Sequence, residues 1–368
     1  MSSPSKILIA PLDWGLGHTT RCLPIIDFLL REGHAVTLAA PQKILDFVAA
    51  TFPAVRQILL EGYQIEYSKT KAFFAGKIIA QIPKILGTIR REHQWLQELQ
   101  AKEHFDLIIS DNRYGLHHPG LPCVIMTHQL LIKSGFGKAT DRQLQKFHYR
   151  LLEKFNVCWV VDEPGTINLS GELAHPAHLP RNAEYIGILS QMTLFKPAEE
   201  IPLIPTTKKP EVLVLLSGPE PMRSQLERTL LPQCKALSNR YQFNFVAGNI
   251  GTGQQAYRSG NSFRYFPKLS AAALAPLLHS ADLVICRSGY SSLMDLAILG
   301  KKALLIPTPG QTEQEYLAHY LRQKSGLMTQ RQNHIILERD IPAALQQMAI
   351  NLPDVSEKRL AAAVRRLI

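Results

Sequence analysis

The stretch Ala281-Asp-Leu-Val-Ile-Cys-Arg-Ser-Gly-Tyr-Ser-Ser-Leu-Met-Asp-Leu-Ala-Ile-Leu-Gly300, with Lys301-Lys-Ala-Leu-Leu-Ile-Pro307 directly behind it, decides how the rest of the chain is read. Leu283–Cys286 is a short apolar run, as expected of a parallel strand covered on both faces. Ser288 and Gly289 suit the start of a helix: the serine can cap, and a residue without a Cβ lets an anion approach free backbone N–H groups. A second apolar run, Ala303–Pro307, completes the strand, turn, helix and strand that α/β proteins use to hold phosphate groups. Asp295 lies about two turns from Ser288 on roughly the same helix face, ~9–11 Å along the axis. That is about the reach from a pyrophosphate at the helix tip to a ribose, whose hydroxyls Asp295 can accept. An ordinary βαβ turn with a solvated Asp295 is the competing reading, so a second signal is needed.

The other end of the chain supplies one. Lys6-Ile-Leu-Ile-Ala10 reads as a strand and runs into Pro11-Leu-Asp-Trp-Gly-Leu-Gly-His18-Thr-Thr-Arg21, then into an apolar-periodic helix from Leu23 to Leu30. Gly15 and Gly17 are followed by His18-Thr19-Thr20 in place of a third glycine, and the strand Ala35–Ala40 ends without an acid for a ribose, which disfavours an NAD-dependent oxidoreductase. A histidine in a glycine loop at a helix start is placed for chemistry, because the helix end favours anions and imidazole titrates near neutral pH. The bland alternative is that His18 only caps the turn.

Together the two ends resemble inverting glycosyltransferases of the GT-B fold, most closely the MurG type, which moves N-acetylglucosamine from a UDP donor to a lipid-linked acceptor. The resemblance rests on Gly15-Leu-Gly-His18, on Cys286-Arg-Ser-Gly289 with an acid six residues beyond the glycine, on Ala297-Ile-Leu-Gly300 with Pro307, and on Gln314-Glu-Tyr316. It implies two Rossmann-like domains with a cleft between them and no cofactor. By that resemblance Ser288 and Gly289 offer main-chain contacts to the donor diphosphate, and Asp295 stands where the family uses a glutamate on the ribose. Gln314 matches the first of two glutamines that read the donor sugar. Glu315 replaces the second, and a carboxylate accepts without donating, so the sugar need not be N-acetylglucosamine. The family's glycine-rich loop becomes Ser217-Gly-Pro-Glu-Pro221, whose prolines remove two backbone donors. Arg223 just behind it, and Arg287, are candidate phosphate partners. Phe266-Pro-Lys268 stands where the family places the uracil.

Composition and order fit this picture. A chain of 368 residues, 46% hydrophobic, exceeds one ordinary core. Strand patterns at Ile7–Ala10, Ala35–Ala40, Leu107–Ser110, Cys123–Thr127 and Val157–Val161, then Val212–Ser217, Phe243–Ala247, Leu283–Cys286 and Ala303–Pro307, alternate with helical ones, the signature of parallel sheets. Proline-rich residues 196–210 read as a linker between an acceptor domain, 1–195, and a donor domain, 211–355, with a helix from about Ser356 expected to pack back on the first domain. No leader and no bilayer-length apolar run is evident, and five scattered cysteines without Cys-x-x-Cys spacing read as buried thiols, so a cytoplasmic enzyme is expected.

Asp111 and His128 follow strands and so fall at carboxyl ends, where such sheets bind ligands. Inverting transfer needs a base for the acceptor hydroxyl; His18 is the first candidate for that role or for orienting the acceptor, with Asp13, Asp111 and His128 as competitors. His117-His118 lacks the spaced partners of a metal site, and no Asp-x-Asp motif is present, so no metal is expected. The net charge of +11 concentrates in Lys69–Arg91, where Phe74, Ile78, Ile82, Ile85 and Ile89 recur at helical spacing beside six cations. Two readings stand: a core stripe with a solvated face, or an interfacial helix on an anionic membrane, which a lipid-linked or other glycan acceptor favours. The basic residues match no nucleic-acid-binding signature. A UDP-sugar 2-epimerase of the same fold and a catalytically silent nucleotide-sugar binder are the rival functions.

Overall fold

The computed structural model describes residues 4–63, 82–133, 137–195, 209–249, 255–350, 352 and 356–368. It divides into two compact units, Met1–Ser190 with Asp354–Ile368, and Gln191–Pro353. No helix among the described residues is long and apolar enough to cross a membrane.

In the first unit β1 (Lys6–Pro11), β2 (Ala35–Ala40), β3 (Arg56–Leu59), β4 (Leu107–Asp111), β5 (Cys123–Thr127), β6 (Val157–Val160) and β7 (Ala183–Tyr185) form a seven-stranded sheet in the order β3-β2-β1-β4-β5-β6-β7, parallel throughout. The central strands are buried along nearly their whole length because helices cover both faces, which is why they read as unbroken apolar runs. β1 lies between β2 and β4, so the strand order reverses there; Ile7 pairs with Leu107 and Pro11 with Asp111. Leu8, Ile108, Ile125 and Val160 join Leu96 and Leu152 of two covering helices in one core cluster of this unit. The helix Ser356–Arg365 belongs to it as well: Arg31 donates to Glu357 at 2.8 Å, Arg365 to Glu32 at 3.2 Å, and Arg359 and Arg366 pair with Glu163 and Glu184.

The second unit repeats the plan. β8 (Glu211–Leu215), β9 (Gln242–Val246), β10 (Tyr257–Ser259), β11 (Phe263–Phe266), β12 (Leu283–Cys286), β13 (Ala303–Leu305) and β14 (Met328–Thr329) run β10-β11-β9-β8-β12-β13-β14, parallel except for the antiparallel β10 and β11 pair. The order reverses between β8 and β12. Gln191–Leu194, counted with the first domain on sequence, forms a short 3-10 turn that packs on the helices Ala271–Ser280 and Tyr290–Ile298 and buries Met192 here. All five cysteines are buried and free.

Most of the linker and the first part of the basic segment, Lys69 to Gln81, lie outside the described residues. From Ile82 the helix runs to Glu103, and there the stripe is core: Ile89 is buried against Leu12 and Tyr63, with Ile85 packed beside it, while Lys84, Arg90 and Arg91 are exposed. For this part the core reading accounts for Ile85 and Ile89.

Candidate active site

At the reversal point of the first sheet, the loop after β1 must turn sharply into the helix Leu16–Arg31. Gly15 does this at φ 85°, in the left-handed region that favours glycine, and caps the helix start. Gly17 and His18 follow in its first turn. Asp111 ends β4, and the chain leaves it through Asn112 at φ 54°, a conformation that asparagine tolerates better than most residues. These two turns bring His18 and Asp111 together: His18 Nδ1 lies 3.0 Å from Asp111 Oδ1.

Between them sits Arg21, one turn beyond His18 and 2% exposed. Its Nε donates to Asp111 Oδ2 at 2.7 Å and its Nη2 to Oδ1, a side-on pair. Its Nη1 lies 2.8 Å from His128 Nδ1, just past the end of β5. Since a guanidinium only donates, His128 accepts on Nδ1, which leaves the ring proton on Nε2. Burial alone would raise the Asp111 carboxyl, but Arg21 and then His18 outweigh it and hold it at about 2. Asp111 is therefore held as an anion, fully buried. His18 Nδ1 is also 3.0 Å from Arg21 Nη2. A proton on Nδ1 donates to Asp111 and leaves the Nε2 lone pair for a substrate; a proton on Nε2 leaves Nδ1 to accept from Arg21.

Asp13 is a different kind of residue. Its Oδ1 accepts the Tyr63 N–H at 3.1 Å, and a Cβ on Gly62 would fall 1.8 Å from its Oδ2. It clamps the segment Gly62–Tyr63 and does not join the His18 cluster. Behind that segment a buried network braces the residues after Asp111. Arg113 Nε donates to Glu92 Oε1 at 2.7 Å, the Tyr63 hydroxyl to Glu92 Oε2 at 2.8 Å, and Arg113 Nη2 to the Glu61 carbonyl. Burial raises the Glu92 carboxyl, against the pull of Arg113.

In the second unit Gly289 is the N-cap of the helix Tyr290–Ile298, which opens at the carboxyl end of β12. The Ser288 hydroxyl does not cap it; fully buried, it donates to the Gln314 carbonyl at 2.9 Å. Gln314 Oε1 accepts the Thr308 N–H at 2.9 Å, while its Nε2 lies 3.8 Å from the place a Gly289 Cβ would occupy, so its amide spans the β13 loop and the Ser288-Gly289 turn. Glu315 Oε1 accepts the Gly310 N–H at 3.0 Å and fastens the same loop. Asp295 is half-buried on the helix, close enough to Cys286 to add to the effect of burial, which pushes that thiol up to about 12.

Two candidates are corrected. Arg223, 6% exposed, is taken up by Glu220 at 2.7 Å, Glu227 at 2.8 Å and the Ala247 carbonyl at 2.8 Å, so it is not free for a phosphate. Arg287, 1% exposed, turns inward: Nη1 donates to the Ile306 and Pro307 carbonyls, each at 3.2 Å, and Nη2 to the Met222 carbonyl at 2.9 Å and Gln332 Oε1 at 2.7 Å. Neither touches an open surface where a diphosphate is expected. Sequence reasoning missed Arg21. The available signal was a cation in the opening turns of a helix, against its dipole, followed at once by the apolar Cys22 and Leu23. Among the described residues no three His, Cys, Asp or Glu side chains converge as a metal site.

Residues 226–366 match the C-terminal domain of glycosyltransferase family 28. An uncharacterized glycosyltransferase of Methanosarcina mazei is 24% identical over 334 residues, covering 84% of this chain and 81% of its own. The UDP-N-acetylglucosamine–N-acetylmuramyl-(pentapeptide) pyrophosphoryl-undecaprenol N-acetylglucosamine transferase of Acidiphilium cryptum is 23% identical, with 84% and 79% covered. The crystal structure of MurG from Acinetobacter baumannii superposes with a TM-score of 0.55 at 15% identity, covering 98% of this chain and all of that one. The chain is a glycosyltransferase of the GT-B fold, similar to the MurG type. The second sheet of this GT-B enzyme, with the Gly289 turn at its reversal point, lies largely within the family 28 match, whereas the His18 cluster lies outside it.

Proposed function

We propose that this glycosyltransferase inverts the anomeric centre as it moves a hexose, N-acetylglucosamine or a close relative, from a UDP-activated donor to a hydroxyl of a glycan or lipid-linked glycan. The observation that carries the reading is the His18–Asp111 contact of 3.0 Å at the reversal point of the first sheet. With the proton on Nδ1 facing a carboxylate that stays ionised, the Nε2 lone pair takes the acceptor proton, and Asp111 steadies the imidazolium that results. The acceptor oxygen then forms its bond to C1 as the bond from C1 to the diphosphate oxygen breaks, and UDP leaves. In the second unit the helix opening at Gly289 meets the charge growing on that leaving group with its positive end, Asp295 accepts from the ribose, and Gln314 and Glu315 face the sugar.

The similarity to the Acidiphilium cryptum transferase supports the UDP-sugar donor. Calorimetry with UDP, UDP-N-acetylglucosamine, UDP-glucose and GDP-mannose tests it: UDP species are expected to bind selectively, and preference for GDP-mannose overturns the donor assignment. Asp295→Ala is expected to weaken UDP binding about 10–100-fold, the worth of a charged hydrogen bond. His18→Ala is expected to leave UDP binding intact and lower transfer by about 10²–10⁴. The opposite pattern refutes the division of roles.

A further inference from the structure

Arg287 is a cation sealed inside the second unit, 1% exposed, and none of the groups it donates to is a carboxylate. Its Nε has no partner among the described residues. A charge in that setting is costly unless an anion answers it, and apolar packing is the cheaper way to fill such a space. What the arginine does in its place is join loops. It precedes Ser288 and Gly289 at the end of β12. Its four bonds reach Met222, the first residue of the helix behind Ser217–Pro221; Ile306 and Pro307, which lead from β13 to Thr308 and Gly310; and Gln332, beyond β14. All four segments lie at the carboxyl ends of their strands, the edge where such sheets hold ligands.

We infer that Arg287 is the positioning residue of the diphosphate cradle, and that its unanswered charge is met by the donor diphosphate when it binds, without direct contact. This inference rests on the donor reading above. Burial lowers Arg287 to about 10, still well above neutral pH, so the charge is present in the working protein.

Gln332 gives access to that charge without breaking the hub. It is half-buried and, with Asn333, lines a cavity of ≈ 710 Å³ beside Met222 and Pro309. Gln332→Glu places a carboxylate at the existing 2.7 Å contact and supplies the missing counterion. In the full-length protein this variant is expected to melt no lower than the parent, to bind UDP about tenfold more weakly, and to bind uridine unchanged. Asn333→Asp adds the same charge to the same cavity away from Arg287 and is expected to change UDP binding less than twofold. Arg287→Met is expected to lose UDP and inorganic pyrophosphate binding while uridine binding persists. Equal losses of UDP and uridine in Arg287→Met would reduce the arginine to a strut. Unchanged UDP binding in Gln332→Glu, or equal loss in Asn333→Asp, overturns the electrostatic role even if Arg287→Met does not fold. Failure of the parent protein to bind UDP instead refutes the donor reading and is seen before any variant is made.

Discussion

Replacing Asp111 by asparagine keeps the shape of the side chain and leaves Arg21 buried with no anion. Breaking a buried pair in this way costs about 3–5 kcal/mol, so Asp111→Asn is expected to lower the melting temperature sharply and transfer with it. Titration gives the same pair a sign. The folded carboxyl is held at about 2, below its ordinary value, so the stability it contributes is complete above about pH 4 and is lost as pH falls toward 2. His18, Asp111 and His128 were legible in the sequence because each follows a recognisable strand by a few residues, and position along the chain is what a sequence states. The inward turn of Arg223 and Arg287 was not, since nothing in the order of residues says whether a long guanidinium side chain turns outward to a ligand or inward to the protein's own acceptors. Asp13 shows the same gap: a short loop puts it near His18 in the chain, yet its carboxylate faces Tyr63.

Elements held at close quarters set the frame for these side chains. Gly115, between β4 and β5, passes the helix Ile82–Glu103 so closely that a Cβ would sit 2.3 Å from the Ile89 carbonyl oxygen and 2.5 Å from Glu92 Cβ. Gly115→Ala is expected to destabilise the fold by about 1–3 kcal/mol through overpacking, read as a lower denaturant midpoint with an unchanged slope, and to loosen the Glu92–Arg113 brace behind Asp111. Strands buried on both faces announced themselves as apolar runs. β3, β7, β10 and β14 did not, because each is the outermost strand on its side of the sheet, with residues that are half-buried or exposed and alternate too briefly to register. The amphipathic basic helix was equally readable as core or as membrane surface, because hydrophobic spacing marks a covered face and does not name what covers it. For its described part the cover is Leu12 and Tyr63.

Acid also acts on the first unit through two histidines. His148 and His117 both belong to the first unit, and burial lowers both to about 4, His117 with help from His93. An unfolded histidine takes up its proton near 6.5, so the stability these two contribute is full above that pH and declines as pH falls from 6.5 to 4. Melting curves across this range are expected to show the first unit losing stability, with the decline flattened in His148→Gln, which keeps an acceptor for the Tyr114 hydroxyl now 3.0 Å from Nε2. The first unit is also the discontinuous one, since the helix Ser356–Arg365 completes it from beyond Pro353. The second unit is one contiguous segment and closes on itself, whereas the first stays open at one flank, its arginine pairs unmade, until a segment from beyond the whole second unit comes back to it.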